Sequence, residues 1–142
     1  MTSSWQVWAV LSAIFAALTA IFAKVGVEGI NSDFATLIRT VIVLITLSLI
    51  LLATGRLNHP GPVSPKSWLF LLLSGLGTGA SWLCYFRALK LGPATLVAPI
   101  DKLSVVLVAL FGVAFLGERP SWNGWFGIAL ISTGAMLIAI KA

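Results

Sequence analysis

Five runs of predominantly apolar residues fill most of the chain: residues 5–23, 33–54, 66–89, 94–116 and 121–140. A helix needs about 20 such residues to cross the hydrocarbon core of a bilayer, so each run is long enough to be a span. Gly and Pro mark the connections, as in TGRLNHPGPVSP after the second run, KLGP after the third and GERP after the fourth. The expectation is an all-α membrane protein with five transmembrane helices in one domain, residues 1–142. Composition agrees, with 59% hydrophobic and only 9% charged residues. A soluble domain carries about a quarter charged residues. A chain this small cannot hide so much apolar surface in its own core. Trp5, Trp8, Trp68, Trp122 and Trp125 stand near span starts, as interface anchors do. The opening MTSSWQVWAV lacks a basic leader region, and its apolar stretch outruns a leader's, so it reads as the start of a permanent span.

Lys and Arg total 9 against 4 Asp and Glu, a net charge of +5. In a membrane chain such an excess fits loops that face lipid phosphates. No basic cluster with interleaved aromatics points to nucleic acid. Cys84 is the only cysteine and His59 stands alone in a loop, so neither an internal disulfide nor a metal centre is expected, and no cofactor is implied. Five spans put the two ends on opposite sides. Arg56, Lys66 and Arg119 fall on one side; Lys24, Arg87, Lys90 and Lys141 fall on the other. Orientation follows Lys/Arg asymmetry, and here there is almost none. Insertion both ways up fits this tie, as does a fixed topology set by a partner.

Three charges lie within spans away from the span ends: Arg39, Asp101 and Lys102. Each costs at least about 2.5 kcal/mol at the bilayer centre, so such groups face a cavity or a partner. At about 1.5 Å per residue, Arg39 lies roughly 9 Å into the second span and Asp101 roughly 10 Å into the fourth. Both spans start on the same side, which makes an Arg39–Asp101 ion pair geometrically possible. Asp101 and Lys102 are adjacent, and neighbours in a helix point about 100° apart, so they are not expected to neutralise one another. Pro99 is the expected helix break, since it removes a backbone donor. Broken helices at membrane depth are a common device for substrate and ion sites. The alternative is that Asp101 and Lys102 form structural ion pairs with other helices or across a dimer.

In the third span, Ser74, Thr78, Ser81 and Tyr85 fall within about 60° of one another on one helix face, with Trp82 beside them. That stripe either lines a polar pathway or bonds to its own backbone carbonyls. Ser81, Trp82 and Tyr85 are the pathway candidates. Gly75 and Gly79 form a G-x-x-x-G on a different face and are candidates for close helix packing. GLGTG lies in mid-helix with no strand before it, so it is no nucleotide loop. No nucleophile–base set appears, and no enzyme activity is expected.

Residues 88–138, ALKLGPATLVAPIDKLSVVLVALFGVAFLGERPSWNGWFGIALISTGAMLI, resemble the second half of an EamA domain of the drug/metabolite transporter superfamily. GPATLVAPI opens the fourth span, LGERP closes it, and LIRTVIVLI places an arginine early in the second span, as in that family. The resemblance covers the chain as one five-helix unit. Larger members carry two inverted units, ten helices around a central site. The resemblance therefore implies an antiparallel homodimer that rebuilds the ten-helix inverted repeat. It also implies secondary transport, often export, of small metabolites or amphipathic compounds, in a bacterial or archaeal cytoplasmic membrane. Asp101-Lys102 departs from the family, which often has apolar or small residues there, and this implies separate coupling or recognition chemistry. Glu118 matches the motif and reads as a loop-structuring residue, paired with Arg119 or capping the fifth span.

The leading expectation is an alternating-access transporter whose pathway includes Arg39, Ser81, Trp82, Tyr85, Asp101 and Lys102. Asp101 is the coupling candidate, because withdrawal from water favours a neutral carboxyl. Lys102 or Arg39 is the candidate for an anionic substrate group. The alternative is a non-catalytic subunit of a hetero-oligomeric transporter or lipid-carrier flippase.

Overall fold

The computed structural model describes residues 4–141; residues 1–3, which open the stretch weighed as a leader, the side chain of Lys141 and residue 142 lie outside the described residues. Among the described residues the chain is helical with no strand. The helices are α1 Trp5–Val27, α2 Ser32–Ala53, α3 Pro65–Leu91, α4 Ala94–Asp101, α5 Ser104–Leu116 and α6 Trp122–Lys141. With α4 and α5 taken as one span, 5 segments are long and apolar enough to cross a membrane. Helices suit that solvent because they satisfy their backbone hydrogen bonds internally.

The boundaries follow local chemistry. Asn31 caps α2: its side-chain oxygen accepts the N–H groups of Asp33 at 2.8 Å and Phe34 at 3.3 Å. Pro65 opens α3, where a missing N–H does no harm, and the Ser64 hydroxyl accepts the Ser67 N–H at 3.2 Å. Ser121 does the same for Gly124 at the start of α6. The first span was expected to stop at Lys24, but α1 continues to Val27. Its cation does not have to leave the helix, because Lys24 Nζ donates to the Leu89 carbonyl at 2.6 Å.

The fourth span is interrupted at Lys102 and Leu103, one turn beyond Pro99, which lies inside α4. Pro99 leaves the Thr95 carbonyl without its usual donor. The turns that follow tighten to i→i−3 bonding. Lys102 N–H donates to Pro99, Leu103 to Ile100, Val105 to Lys102 and Val106 to Leu103, all at 3.0–3.1 Å. Lys102 and Leu103 keep right-handed backbone angles. The break is thus a short 3₁₀ constriction in a continuing span, a feature often found at hinges.

The chain divides into two compact units. Residues 22–90 hold the end of α1 with α2 and α3, and their buried centre comprises Val27, Ser32, Ala35, Thr36, Phe86 and Leu89. The Thr36 hydroxyl donates to the Ser32 carbonyl at 2.9 Å, so that buried polar group is satisfied within α2. The other unit holds the earlier part of α1 with α4, α5 and α6; α4 and α5 pack on α6. There, Gly117 takes φ +68°, and the N–H groups of Gly117 and Glu118 both reach the Gly112 carbonyl. This left-handed turn closes the fourth span at LGE.

Candidate functional site

The unit of residues 22–90 gathers most of the basic side chains near membrane depth, and α2 and α3 run antiparallel past each other there. At the outer level, Lys90 Nζ donates to the Ile30 carbonyl and Lys24 Nζ to the Leu89 carbonyl. One step inward, Arg87 Nη2 donates to both carboxylate oxygens of Asp33, at 2.8 and 2.9 Å. Deeper again, the Arg39 guanidinium carbon lies 4.4 Å from the Trp82 ring centroid and 5.2 Å from that of Phe86. Each step down α2 is matched by a step back along α3. Tyr85 stands close enough to Arg39 to interact with its charge.

Arg39 is seven residues past the start of α2 at Ser32, or roughly 10 Å along the helix. The hydrocarbon core is about 30 Å thick, so this lies well inside it. A cation there costs at least about 2.5 kcal/mol. Two aromatic contacts at about 0.5–2 kcal/mol each offset much of that and fix the side chain in place. They are not an ion pair: among the described residues Arg39 makes neither a hydrogen bond nor a salt bridge.

Within its own unit Arg39 lies on the aromatic rings, and Asp101 in the other unit meets Lys102 Nζ at 3.6 Å. The Asp101–Lys102 contact is a correction, since adjacent residues were expected to diverge. The helix ends between them, and the 3₁₀ turn together with the long lysine side chain brings the charges together. At 3.6 Å the contact is an ion pair too long for a hydrogen bond. The Asp101 side chain remains 41% exposed in the single chain.

The hydroxyl stripe is partly used by its own backbone: Thr78 Oγ1 donates to the Ser74 carbonyl at 2.9 Å. Ser81 is exposed, whereas Trp82 and Tyr85 are half-buried. Among the described residues of its unit, a Cβ placed on Gly75 or Gly79 would meet nothing within 4 Å, so neither glycine makes a close helix contact there. Among the described residues Glu118 forms no ion pair with Arg119, and Ser121 caps α6 in its place. The Glu118 carboxylate instead folds against Gly112, 2.7 Å from where a Cβ would stand. Among the described residues no group of three or more His, Cys, Asp or Glu side chains is placed to hold a metal ion.

Two participants were missed from sequence. Phe86 sits one turn after Trp82 on the same face of α3, a spacing that could have signalled it. Asp33 stands in the first turn of α2, where a carboxylate also complements the helix N-terminus. Its position at the same membrane edge as Arg87 was the available clue.

The model of the EamA-like transporter family matches residues 3–140. This chain belongs to that family. It is 62% identical over 140 residues to a Sinorhizobium protein named "Uncharacterized transporter in cobO 3'region", an alignment covering 99% of each chain. It is 25% identical over 142 residues to the uncharacterized transporter YxxF of Bacillus subtilis, covering 99% of this chain but 44% of that one. Over 72 residues it is 32% identical to a Yersinia pestis protein named "Probable 4-amino-4-deoxy-L-arabinose-phosphoundecaprenol flippase subunit ArnE", covering 51% of this chain and 61% of that one. No solved structure matches the chain. With five span-length apolar helices, this family member is an integral membrane protein of transporter type.

Proposed function

We propose that this protein is a secondary transporter of small metabolites or amphipathic compounds, an exporter or exchanger in the bacterial cytoplasmic membrane. It acts as an antiparallel, dual-topology homodimer by alternating access. The observations that support this reading are the EamA-like transporter family match over residues 3–140 and the balance of loop charges. Two copies, one inverted, would rebuild the two-unit, ten-helix inverted repeat, each contributing residues 1–142 as one domain. The near-tie of loop charges, Arg56, Lys66 and Arg119 against Lys24, Arg87, Lys90 and Lys141, is what such insertion needs.

In this reading Arg39, Ser81, Trp82, Tyr85, Asp101 and Lys102 line the pathway, with Asp101 as the coupling residue. The constriction after Pro99 is the flexing point around which one protomer rocks against the other. Gly75 and Gly79, open in the single chain, are where the second copy approaches. Mapping both termini in intact cells tests the arrangement. Both orientations are expected, and a single fixed orientation would overturn the homodimer. Flux in proteoliposomes tests coupling: Asp101→Asn should abolish pH-driven transport, and unchanged transport removes Asp101 from the mechanism.

The likeness to ArnE favours a second reading, a non-catalytic subunit of a hetero-oligomeric transporter or lipid-carrier flippase. Purification of the chain alone separates the two. A stable homodimer supports the first reading, whereas a monomer that becomes stable only with a different half-size protein supports the second.

A further inference from the structure

We infer that Arg39, walled by Trp82 and Phe86, receives the acidic head of the cargo, which is therefore an organic anion bearing a carboxylate or phosphate on an apolar body. This rests on the transporter reading and adds the substrate class to it. The other basic groups near membrane depth already have partners. Lys24 and Lys90 are bonded to carbonyls, Arg87 is held by Asp33, and Lys102 is paired with Asp101. Arg39 alone among them meets no carbonyl or carboxylate among the described residues: it lies on two ring faces, with Tyr85 nearby.

A guanidinium carries five N–H donors. An aromatic face attracts its charge but supplies no lone pair, so the donors await an acceptor. Their planar fork matches two oxygens of a carboxylate or phosphate. The acidic residue on the same helix, Asp33, is engaged by Arg87 and does not compete. Trp82 and Phe86 do two things at once. They hold the guanidinium in one place, which lowers the ordering cost of binding, and they offer apolar surface to the rest of the ligand. Lys102 is the weaker candidate for the same role because its ammonium is already opposed by a carboxylate.

The test is thermal unfolding of the purified protein in detergent micelles, titrated at constant ionic strength with sodium benzoate, phenyl phosphate, tetraphenylphosphonium chloride and magnesium chloride. Benzoate or phenyl phosphate should raise the midpoint saturably, and whichever acts more strongly identifies the head group. Arg39→Gln should abolish the shift. Arg39→Lys, which keeps the charge but loses the fork, should weaken the apparent affinity about tenfold. Trp82→Leu should weaken it about fivefold by removing a wall. Arg56→Gln, in the loop after α2, should leave it unchanged. If Arg39→Gln does not fold, Arg39→Lys and Trp82→Leu carry the test. Saturation by tetraphenylphosphonium or magnesium alone overturns the inference, as does wild-type anion affinity in both Arg39→Lys and Trp82→Leu. An equal loss in Arg56→Gln overturns it too. Flux in proteoliposomes separates this from the transport reading. Anions that bind at Arg39 but never cross sink transport and support the anion site; tetraphenylphosphonium crossing with no anion binding supports transport and sinks the anion site.

Discussion

The guanidinium carbon of Arg39 on α2 lies 4.4 Å from the ring centroid of Trp82 on α3. The contact joins two spans at a depth where water is scarce, and it keeps a fixed cation inside the membrane without neutralising it. If it contributes as cation–π pairs do, Trp82→Leu should lower stability by about 1 kcal/mol. Combining it with Arg39→Gln should cost less than the two single losses added together. Chemical unfolding in mixed micelles measures this; additive losses would mean that the rings and the cation do not interact.

The Asp33–Arg87 pair should matter less. Both side chains are well exposed, at 48% and 62%, so Arg87→Ala should cost less than about 1 kcal/mol. The exchange Asp33→Arg with Arg87→Asp should recover part of that loss. High salt should narrow the gap between wild type and Arg87→Ala. A loss of several kcal/mol in the same unfolding assay would show that the pair is shielded from solvent in the assembled protein.

The turn at LGE yields a contrast between two glycines. Gly117 has φ +68°, so Gly117→Ala should destabilise by about 1–2 kcal/mol. Gly112→Ala should be near neutral. The new methyl displaces only the flexible tip of Glu118, while alanine is favoured over glycine in a helix by about 1 kcal/mol. In a Glu118→Ala background, Gly112→Ala should therefore stabilise. A large loss from Gly112→Ala in that background would show that another surface packs on Gly112.

Pro99→Ala restores the donor for the Thr95 carbonyl. It should extend regular α-helical bonding through Lys102 and Leu103, seen as slower amide exchange over residues 99–106, and it should reduce flux in proteoliposomes several-fold. Slower exchange with undiminished flux would show that the constriction does not flex during transport.

The five spans were readable because a membrane crossing is a local property of about twenty consecutive residues. The caps at Asn31 and Ser64 are local for the same reason. The interruption of the fourth span was anticipated at Pro99 but lies one turn later, where Lys102 and Leu103 donate to the carbonyls three residues back. The site was readable in its inventory but not in its pairing. Arg39, Trp82 and Tyr85 are legible in the sequence, whereas Phe86 and Asp33 stand out only in the contacts between α2 and α3.

By itself, then, the sequence determined that this is a five-span helical membrane protein with charges that lipid does not tolerate unaccompanied. GPATLVAPI and LGERP at the two ends of the fourth span, with LIRTVIVLI in the second, pointed to the family. Only the tertiary structure decided what accompanies each charge: aromatic rings for Arg39, Asp33 for Arg87, the Leu89 carbonyl for Lys24 and the neighbouring Asp101 for Lys102. The reason is physical. In helices apolar on nearly every side, periodicity does not record which face meets a neighbour, so long-range partners emerge only when the helices pack.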